Sequence, residues 1–518
     1  MTQHHPEPAD RAATARLDAV CDLIVPDARE SAGLHRYDGL SQDLSSDGVT
    51  RALERLGHGP APEDAHDAAH LEVFESGLRW TYEELEAHRR NPLLHLSNLE
   101  LACYDREYAP AEQRAAAKLA HLRTWPEAVD TAVRTLDEVA APVARALLPS
   151  VRGMAVDLGE GLGRDAEPAV EAALSAHGRL VAHIEGLAES GDPDCAVGAE
   201  VLAREMGAWE GMPVDLEQLA GQARTERDRL RELLQEACSR LDPHTGPLAL
   251  VDRLRRDHPD SEGILAEARA VTEEVLAFTR EHGLVPWTDG ECRVGIAPPS
   301  RRWGMAAMSW AAPEEDDAPS WFHVTPPEPD WPAEDVEDWL EVFSRTTLPA
   351  ITVHEVAPGH YTHARALRRA PSAVRRRLIG VTFAEGWAHY AEEMVIEAGF
   401  RENDPRYRIG TCLEGLVRVV RLACSIGLHT GELSLDEAIA RFREDAYLGE
   451  AAARSEALRG TFDIGYGRYT WGRLVILELR ERARALWGPD FSLSRFHAAL
   501  LALGSPPLGL LDHALTIG

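Results

Sequence analysis

The chain has 518 residues, of which 44% are hydrophobic, so its size and composition allow a large buried core. Aromatic residues make up only 6% of it, while alanine, leucine, glutamate and arginine dominate, which favours helix over sheet. With 54 lysines and arginines against 86 acidic residues, the formal charge of -32 repels phosphate backbones and anionic lipid, so we expect no nucleic acid partner.

No stretch of the chain has the apolar length that a signal peptide or a membrane-spanning helix requires, about 18 residues for the latter. The seven cysteines are scattered and form no CxxC pair, so we expect small core residues rather than zinc ligands or a redox switch. These observations predict a cytoplasmic protein without a membrane partner. They indicate no particular oligomeric state.

Residues 1–280 are predicted to form a helical N-terminal region. Amphipathic patterns recur through it, for example in LEVFESGLRWTYEELEAH (71–88) and SEGILAEARAVTEEVLAFTREHG (261–283). Glycine, proline and aspartate cluster near residues 58, 190 and 242, and these residue types are typical of turns. We therefore expect breaks between helices at these three places.

A small β-sheet is predicted near residues 284–330, where proline, glycine and tryptophan separate short β-forming runs. The run SWFHVT (320–325) is followed by two prolines. It is predicted either as an edge strand, to which an extended peptide could pair, or as part of a hairpin that covers the core. We expect His323 in this run to contact substrate or solvent rather than a metal.

Apolar residues return to helical spacing from residue 336. Residues 281–518 are therefore predicted to form a catalytic region of helices and the small sheet, in one compact unit with the N-terminal region. The overall expectation is a mainly α protein.

The segment TVHEVAPGHYTH (352–363) raises the question of a metal site. His354 and His360 are six residues apart, which is about 240° around a straight helix, so they could share an ion only across a break. Pro358 lacks an amide hydrogen and Gly359 tolerates unusual backbone angles, so this pair predicts such a break. The same pair is also common at a simple helix end.

A third ligand is predicted in VTFAEGWAHYAEEMVIEAGF (381–400), which has an apolar helical face. Glu385 lies next to that face, where an unpaired carboxylate is costly, so a cation or a strong donor is expected nearby. His389 and Glu392 follow on the same side of the helix. The alternative is a surface helix with incidental histidines.

Two histidines and a glutamate form the ligand set of catalytic zinc sites that leave one position for water. The pattern thus predicts Zn²⁺ bound by His354, His360 and Glu385. Glu355 directly follows the first ligand and is predicted to act as a general base. The same ligands also accept Mn²⁺, Co²⁺ or Fe²⁺.

Five blocks in order resemble one known family. They are HEVAPGH (354–360), FAEGWAHYAEEM (383–394), GLHTGELSLDEAIARF (427–442), GYGRYTWGRLVILELRERA (465–483) and FHAALLALGSPPL (496–508). The chain resembles the bacterial domain-of-unknown-function 885 family, which is grouped with gluzincin-type metallopeptidases. The resemblance implies the same three zinc ligands, the same base, a helical fold with a deep cleft, and hydrolysis of peptides or amides.

Two of these blocks contain further candidates for the catalytic site. His429 belongs to one block, and Tyr466, Arg468 and Tyr469 belong to another. A phenol or an imidazole could donate to a developing oxyanion, and a guanidinium could hold a substrate carboxylate. Each tyrosine could equally be a packed core residue whose hydroxyl bonds to the backbone.

The sequence departs from the family pattern at several positions. Tyr361 stands where a histidine is common, His389 replaces a leucine-like residue, Ser425 replaces an aspartate, and residues 467–469 replace a Pro-Gly-Gln run. These changes leave the predicted ligands intact, but we expect them to alter the substrate pocket. His363 is a second candidate for the ligand position of His360.

Two classes of function follow from these predictions. The first is a zinc hydrolase that acts on a peptide or a related small amide, with a non-peptide amide as a variant. The second is a non-catalytic helical binding protein that keeps a metal site. The presence of Glu355 beside all three predicted ligands favours the enzyme, because a binding protein does not need a base.

Overall fold

Helices make up most of the chain, as the composition predicts. The structure is a computed structural model that describes residues 8–156, 158–302, 304–316, 318–328 and 330–518, with side chains from residue 15 onwards. The fold class predicted from the sequence, mainly α with one small sheet, is confirmed.

The N-terminal part consists of helices joined by short connections. They are α1 (Pro8–Cys21), α2 (Val25–Glu30), α3 (Ser46–Leu53), α4 (Ala65–Arg79), α5 (Ala87–Arg90), α6 (Pro92–Leu99), α7 (Ala111–Thr135), α8 (Ala141–Gly153), α9 (Glu167–Ser190), α10 (Ala199–Ala208), α11 (Leu216–Leu241), α12 (Pro247–Arg255) and α13 (Ile264–Glu281). The breaks predicted near residues 58, 190 and 242 are confirmed, since they separate α3 from α4, α9 from α10 and α11 from α12. Asp64 and Asp215 cap α4 and α11, because each side chain accepts a hydrogen bond from an amide of the first turn.

The small sheet lies within the predicted range and has three strands, β1 (Cys292–Ile296), β2 (Ala306–Ser309) and β3 (Ser320–Val324). Their order is β1-β3-β2, with β1 parallel and β2 antiparallel to β3. Of the two alternatives predicted for β3, the edge strand is therefore wrong, and β3 instead forms an antiparallel pair with the preceding strand, β2. Alternate residues of β3 are buried, and it is paired on both sides, so the two edge strands of the sheet are β1 and β2.

The C-terminal part is again helical. Its helices are α14 (Ala333–Val342), α15 (Leu348–Glu355), α16 (His360–Leu367), α17 (Ala373–Arg377), α18 (Val381–Glu397), α19 (Pro405–Thr430), α20 (Leu435–Asp445), α21 (Glu450–Phe462), α22 (Arg468–Trp487), α23 (Leu493–Leu501) and α24 (His513–Ile517). The long α19 packs along α11 and also contacts α15, α18 and α22. Within the described ranges, no helix has both the length and the apolar composition needed to cross a bilayer.

The largest apolar cluster of the described chain includes residues from both sides of position 280. Leu230 of α11 and Val271 of α13 belong to it together with Val353 of α15 and Trp387 of α18. Burial of these side chains drives the two parts of the chain together. The boundary at 280 itself stays a prediction.

A close crossing between α18 and α22 positions much of the candidate site. A Cβ added to Gly386 would lie 2.5 Å from the carbonyl carbon of Gly472. The two helices can therefore cross this closely only because both residues lack a side chain. Glu385 on α18 and Tyr469 in the first turn of α22 line the same cavity. Two glycines separated by 86 positions thus determine how closely the two helices that carry these side chains can approach.

Candidate metal centre

The helix break predicted at Pro358 and Gly359 is confirmed. α15 ends at Glu355 and α16 begins at His360, and a turn of four residues joins them. The amide of Gly359 donates to the carbonyl of Val353 at 3.2 Å, and the indole nitrogen of Trp387 donates to the carbonyl of Pro358 at 2.8 Å. A Cβ at Gly359 would lie 1.8 Å from the carbonyl oxygen of His354, so only glycine allows the turn to close this tightly.

The structure brings together the three predicted ligands. One carboxylate oxygen of Glu385, Oε2, lies 3.3 Å from Nε2 of His354 and 3.4 Å from Nε2 of His360. All three ligand atoms lie within 4.8 Å of one another, and the two imidazole rings are nearly perpendicular, at 88°. In the described part of the chain this is the one group of three or more such side chains with the spacing of a metal site.

The two separations from Glu385 fit a zinc ion. Ligands at about 2.0–2.1 Å from zinc in a tetrahedral arrangement lie about 3.3 Å apart. Oε2 of Glu385 is buried and has no hydrogen-bond partner among the described residues, although two imidazole nitrogens are close to it. A cation held between the three atoms would satisfy all of them, whereas a hydrogen bond would satisfy only two.

A second carboxylate orients the first histidine. Oε1 of Glu392 lies 2.7 Å from Nδ1 of His354, and Nη2 of Arg418 lies 3.1 Å from the same oxygen. The Glu392 side chain is fully buried. When Nδ1 of His354 donates to this carboxylate, the lone pair of Nε2 is left for a metal, which is the usual arrangement around histidine ligands. The sequence places Glu392 one heptad after Glu385 and so on the same helix face, a signal that could have identified it.

The charges of this group attract a cation. Burial disfavours the charged form of His354, yet the carboxylates of Glu385 and Glu392 outweigh that effect and raise its pKa to about 9. Burial acts to raise the pKa of Glu385, but His360 and His354 hold it well below its usual range. The site therefore favours added positive charge, which a divalent metal supplies while the imidazoles stay neutral.

Glu355, the predicted base, lies in the same cavity as the three candidate ligands. Its side chain is only 7% exposed, and its Oε2 has no hydrogen-bond partner in the described structure. Burial raises the pKa of Glu355 above its ordinary value, although His360 and His354 oppose the change. A carboxylate of this kind takes up a proton more readily than one in water.

The ligands and Glu355 line a cavity of about 680 Å³. Of the further candidates from the sequence, Tyr469 and Arg468 also line this cavity, whereas His429 and Tyr466 do not. His429 is fully buried and its Nε2 lies 2.8 Å from the carbonyl oxygen of Gly460, so it belongs to the packing of α19 on α21. Tyr466 is also fully buried, and its hydroxyl has no partner among the described residues.

Tyr469 lies directly beside the first ligand. Its ring stacks on that of His354, with centroids 6.1 Å apart and planes at 25°. Its hydroxyl oxygen accepts a hydrogen bond of 3.0 Å from Nη2 of Arg459. Since the oxygen accepts from Arg459, its own hydrogen is available to a group in the cavity. Sequence reasoning missed Arg459, because no motif links α21 to Tyr469.

The other histidine candidates lie outside the metal group. Nε2 of His363 lies 3.2 Å from the carbonyl oxygen of Gly504, and burial lowers the pKa of His363 to about 3. His363 is therefore a neutral core residue and does not replace His360. His323 on β3 lies 3.2 Å from the carbonyl oxygen of Ile296, through its Nδ1, and is absent from the metal group.

Three of the departures from the family pattern lie outside the cavity lining. The Tyr361 hydroxyl donates to the carbonyl of Asp289, and the Ser425 hydroxyl donates to that of Ile464. Nδ1 of His389 lies 3.4 Å from Oε2 of Glu392, so it contacts the carboxylate that orients His354. None of these three side chains lines the cavity, so the expectation that they alter the substrate pocket is wrong for them, and His389 contacts a residue that orients a candidate ligand.

Comparison with known proteins agrees with this architecture. The chain belongs to a family of bacterial proteins of unknown function, DUF885, which it matches over residues 10–515. No curated protein matches it.

Two solved structures share the fold. One, a putative lipoprotein of unknown function from Shewanella oneidensis, is 19% identical, with a TM-score of 0.75 over 99% of this chain and 100% of the other. The second, a putative lipoprotein from Colwellia psychrerythraea, is 18% identical, with a TM-score of 0.78 over 99% of both chains. At these identities the likeness establishes the fold alone.

Proposed function

We propose that this protein is a gluzincin-type, zinc-dependent hydrolase that cleaves a peptide or a related amide bond. The observation that carries the proposal is the convergence of His354, His360 and Glu385 beside a buried Glu355 in one cavity. Three ligands from protein side chains leave a coordination position for a reactant, as in catalytic zinc sites. A purely structural site is usually closed by a fourth protein ligand, and the described residues provide none here.

Zinc at this site would polarise the amide carbonyl and make water more acidic. Glu355 accepts a proton from the attacking water, whose oxygen forms a bond to the carbonyl carbon. Tyr469 donates a hydrogen bond to the oxygen on which negative charge develops, while Arg459 holds the phenol in place. Glu355 then delivers its proton to the nitrogen as the C–N bond breaks, which yields one acid and one amine.

The free edge of β2 supports a peptide as substrate. Met305, Ala306 and Met308 line the cavity, and β2 is paired to β3 on one side only. An extended peptide in the cavity can therefore form main-chain hydrogen bonds to β2, as peptides do at other exposed sheet edges. Such binding recognises the backbone rather than one side chain.

The proposal is tested with the zinc-loaded protein and a mixed peptide library. We expect cleavage that stops with a chelator and returns with Zn²⁺. Glu355→Gln should keep one zinc per chain and lose at least about 100-fold in rate, because it removes the base and no ligand. Full activity of this variant contradicts the proposal. A protein that binds zinc and peptides but cleaves none would be the non-catalytic binding protein instead.

We also propose the cytoplasm as its location. All seven cysteines are free and five of them are buried, as is usual in a reducing compartment. The two similar structures are described as those of putative lipoproteins, and that description applies to those proteins. Fractionation of cells that produce the native protein should find it in the cytosolic fraction, and recovery with membranes would contradict this location.

A further inference from the structure

One wall of the cavity is lined with arginines, although the chain as a whole is strongly acidic. The four are Arg418, Arg421, Arg459 and Arg468. They lie on α19, α21 and α22, the helices that surround Tyr469. Each is paired with a carboxylate of the same wall, so the wall is an organised network. Arginines arranged in this way commonly bind carboxylate or phosphate groups.

Arg421 keeps one terminal nitrogen of its guanidinium group for a further acceptor, whereas both terminal nitrogens of Arg418 and of Arg468 are paired. Its Nε and Nη2 both donate to the carboxylate of Glu456, at 2.6 Å and 2.7 Å. In the portion of the chain that is described, no acceptor bonds to its Nη1. The side chain is 12% exposed and lines the cavity. The bidentate pair with Glu456 fixes the group, so Nη1 presents two N–H donors in a set direction.

The guanidinium group lies close to the metal centre. Its carbon lies 4.8 Å from the ring centroid of Tyr469, and that ring stacks on His354 with a centroid separation of 6.1 Å. These two separations place the guanidinium carbon within about 11 Å of the His354 ring. An extended chain advances about 3.3–3.6 Å per residue. The carbon of a carboxylate paired with Arg421 lies about 4 Å from the guanidinium carbon, so at most about 7 Å, the span of one or two residues, separates it from an amide at the metal centre.

We infer that the substrate carries a free carboxylate one or two residues beyond the scissile amide, and that Arg421 binds it through Nη1. The enzyme would thus release a single amino acid or a dipeptide from the carboxyl end of a peptide. This inference rests on the proposed hydrolytic function and specifies its substrate class. Arg421 is a specificity-determining residue, since it contacts the substrate away from the reacting atoms.

The test compares two peptides of one sequence, one with a free C-terminal carboxylate and the other with a C-terminal amide. With zinc-loaded protein, we expect cleavage one or two residues from the free carboxylate, and kcat/KM at least about tenfold lower for the amidated peptide. A charge-assisted hydrogen bond has an effect of this size. Equal cleavage of both peptides, or cleavage only at internal bonds, would overturn the inference.

The role of Arg421 is tested in a double variant, Arg421→Gln with Glu456→Gln. Removing both charges avoids an unpaired carboxylate at Glu456, which is only 5% exposed. We expect the tenfold preference to disappear, and a preference that survives would exclude Arg421. Arg401→Gln is the matched control, because Arg401 also forms a bidentate pair, with Glu274, and lies over the ring of Phe400, but it does not line the cavity.

Calorimetric binding separates this inference from the proposed function. The Glu355→Gln protein is titrated with the same two peptides, and we expect the free acid to bind at least about tenfold more tightly than the amide. The native protein could cleave neither peptide while the binding preference holds and depends on Arg421. That result would support the carboxylate site and refute the proposed hydrolysis. Equal binding, or no binding of either peptide, would refute the carboxylate site.

Discussion

Substitution of Gly359 by alanine should disrupt the metal centre without touching a ligand. The added Cβ would lie 1.8 Å from the carbonyl oxygen of His354 and 2.4 Å from that of Val353. Real Cβ contacts are essentially never under 3.0 Å, so the turn must open by at least about 1.2 Å at the closer contact. The atoms that must move belong to the backbone of the first ligand, which cannot swing aside as a flexible side chain would.

Two effects of this change can be given a size. Overpacking in a tightly closed core costs about 1–3 kcal/mol of unfolding free energy. A displacement of about 1 Å at a catalytic centre costs about 100-fold in rate, and zinc affinity should fall with it because His354 and His360 no longer converge. Thermal unfolding measures the loss of stability, and competition with a chelator measures the loss of zinc affinity.

Gly178→Ala is the matched control. Gly178 lies on the exposed face of α9, and an added Cβ meets no atom within 4 Å. This change should leave zinc binding intact and stabilise the protein by about 0.5–1 kcal/mol, since alanine is the better helix former. If Gly359→Ala binds zinc as tightly as the native protein and unfolds at the same temperature, the tight turn does not position the ligands.

Further predictions concern Glu392, which orients His354, the phenol of Tyr469, and the buried His70. Glu392→Gln should lower zinc affinity about 10–100-fold, because it weakens the group that orients His354, and a chelator titration that shows no change would refute that role. Tyr469→Phe should lower kcat about tenfold or more, with a smaller effect on KM. Tyr466→Phe is the control, because Tyr466 lies three residues earlier and outside the cavity, and it should keep native kinetics. Equal rates for the native protein and both variants would remove the phenol from the mechanism. Burial lowers the pKa of His70 to about 3 from an unfolded value of 6.5, so the unfolded chain takes up the proton first. Its contribution to stability is fully present above pH 6.5 and is lost as the pH falls from 6.5 towards 3, at about 1.4 kcal/mol for each pH unit. Unfolding of His70→Gln across this range should therefore depend less on pH than that of the native protein, and identical slopes would contradict the assignment.

Local sequence signals predicted the structural features that are determined by residues close together in the chain. Helical periodicity and clusters of turn residues located the breaks between helices, because propensity and capping act within a few positions. Pro358 and Gly359 predicted the end of α15 for the same reason. The convergence of the three candidate ligands was predicted from coordination chemistry, which restricts both the residue types and their spacing.

The parts that depend on distant pairing could not be predicted in this way. The central position of β3 follows from its pairing with both β1 and β2, and no property of the strand alone specifies a partner. Arg459 and Arg421 reach Tyr469 from α21 and α19, so their contacts exist only once the helices have packed. His429 and Tyr466 lie in motif blocks next to the site and yet point into the packing between helices.

The most direct test of the metal centre is anomalous diffraction at the zinc absorption edge from crystals of the native protein grown with zinc. We expect one strong peak within bonding distance of Nε2 of His354, Nε2 of His360 and the carboxylate of Glu385. A peak at other side chains, or these three side chains pointing apart with no peak between them, would contradict the account.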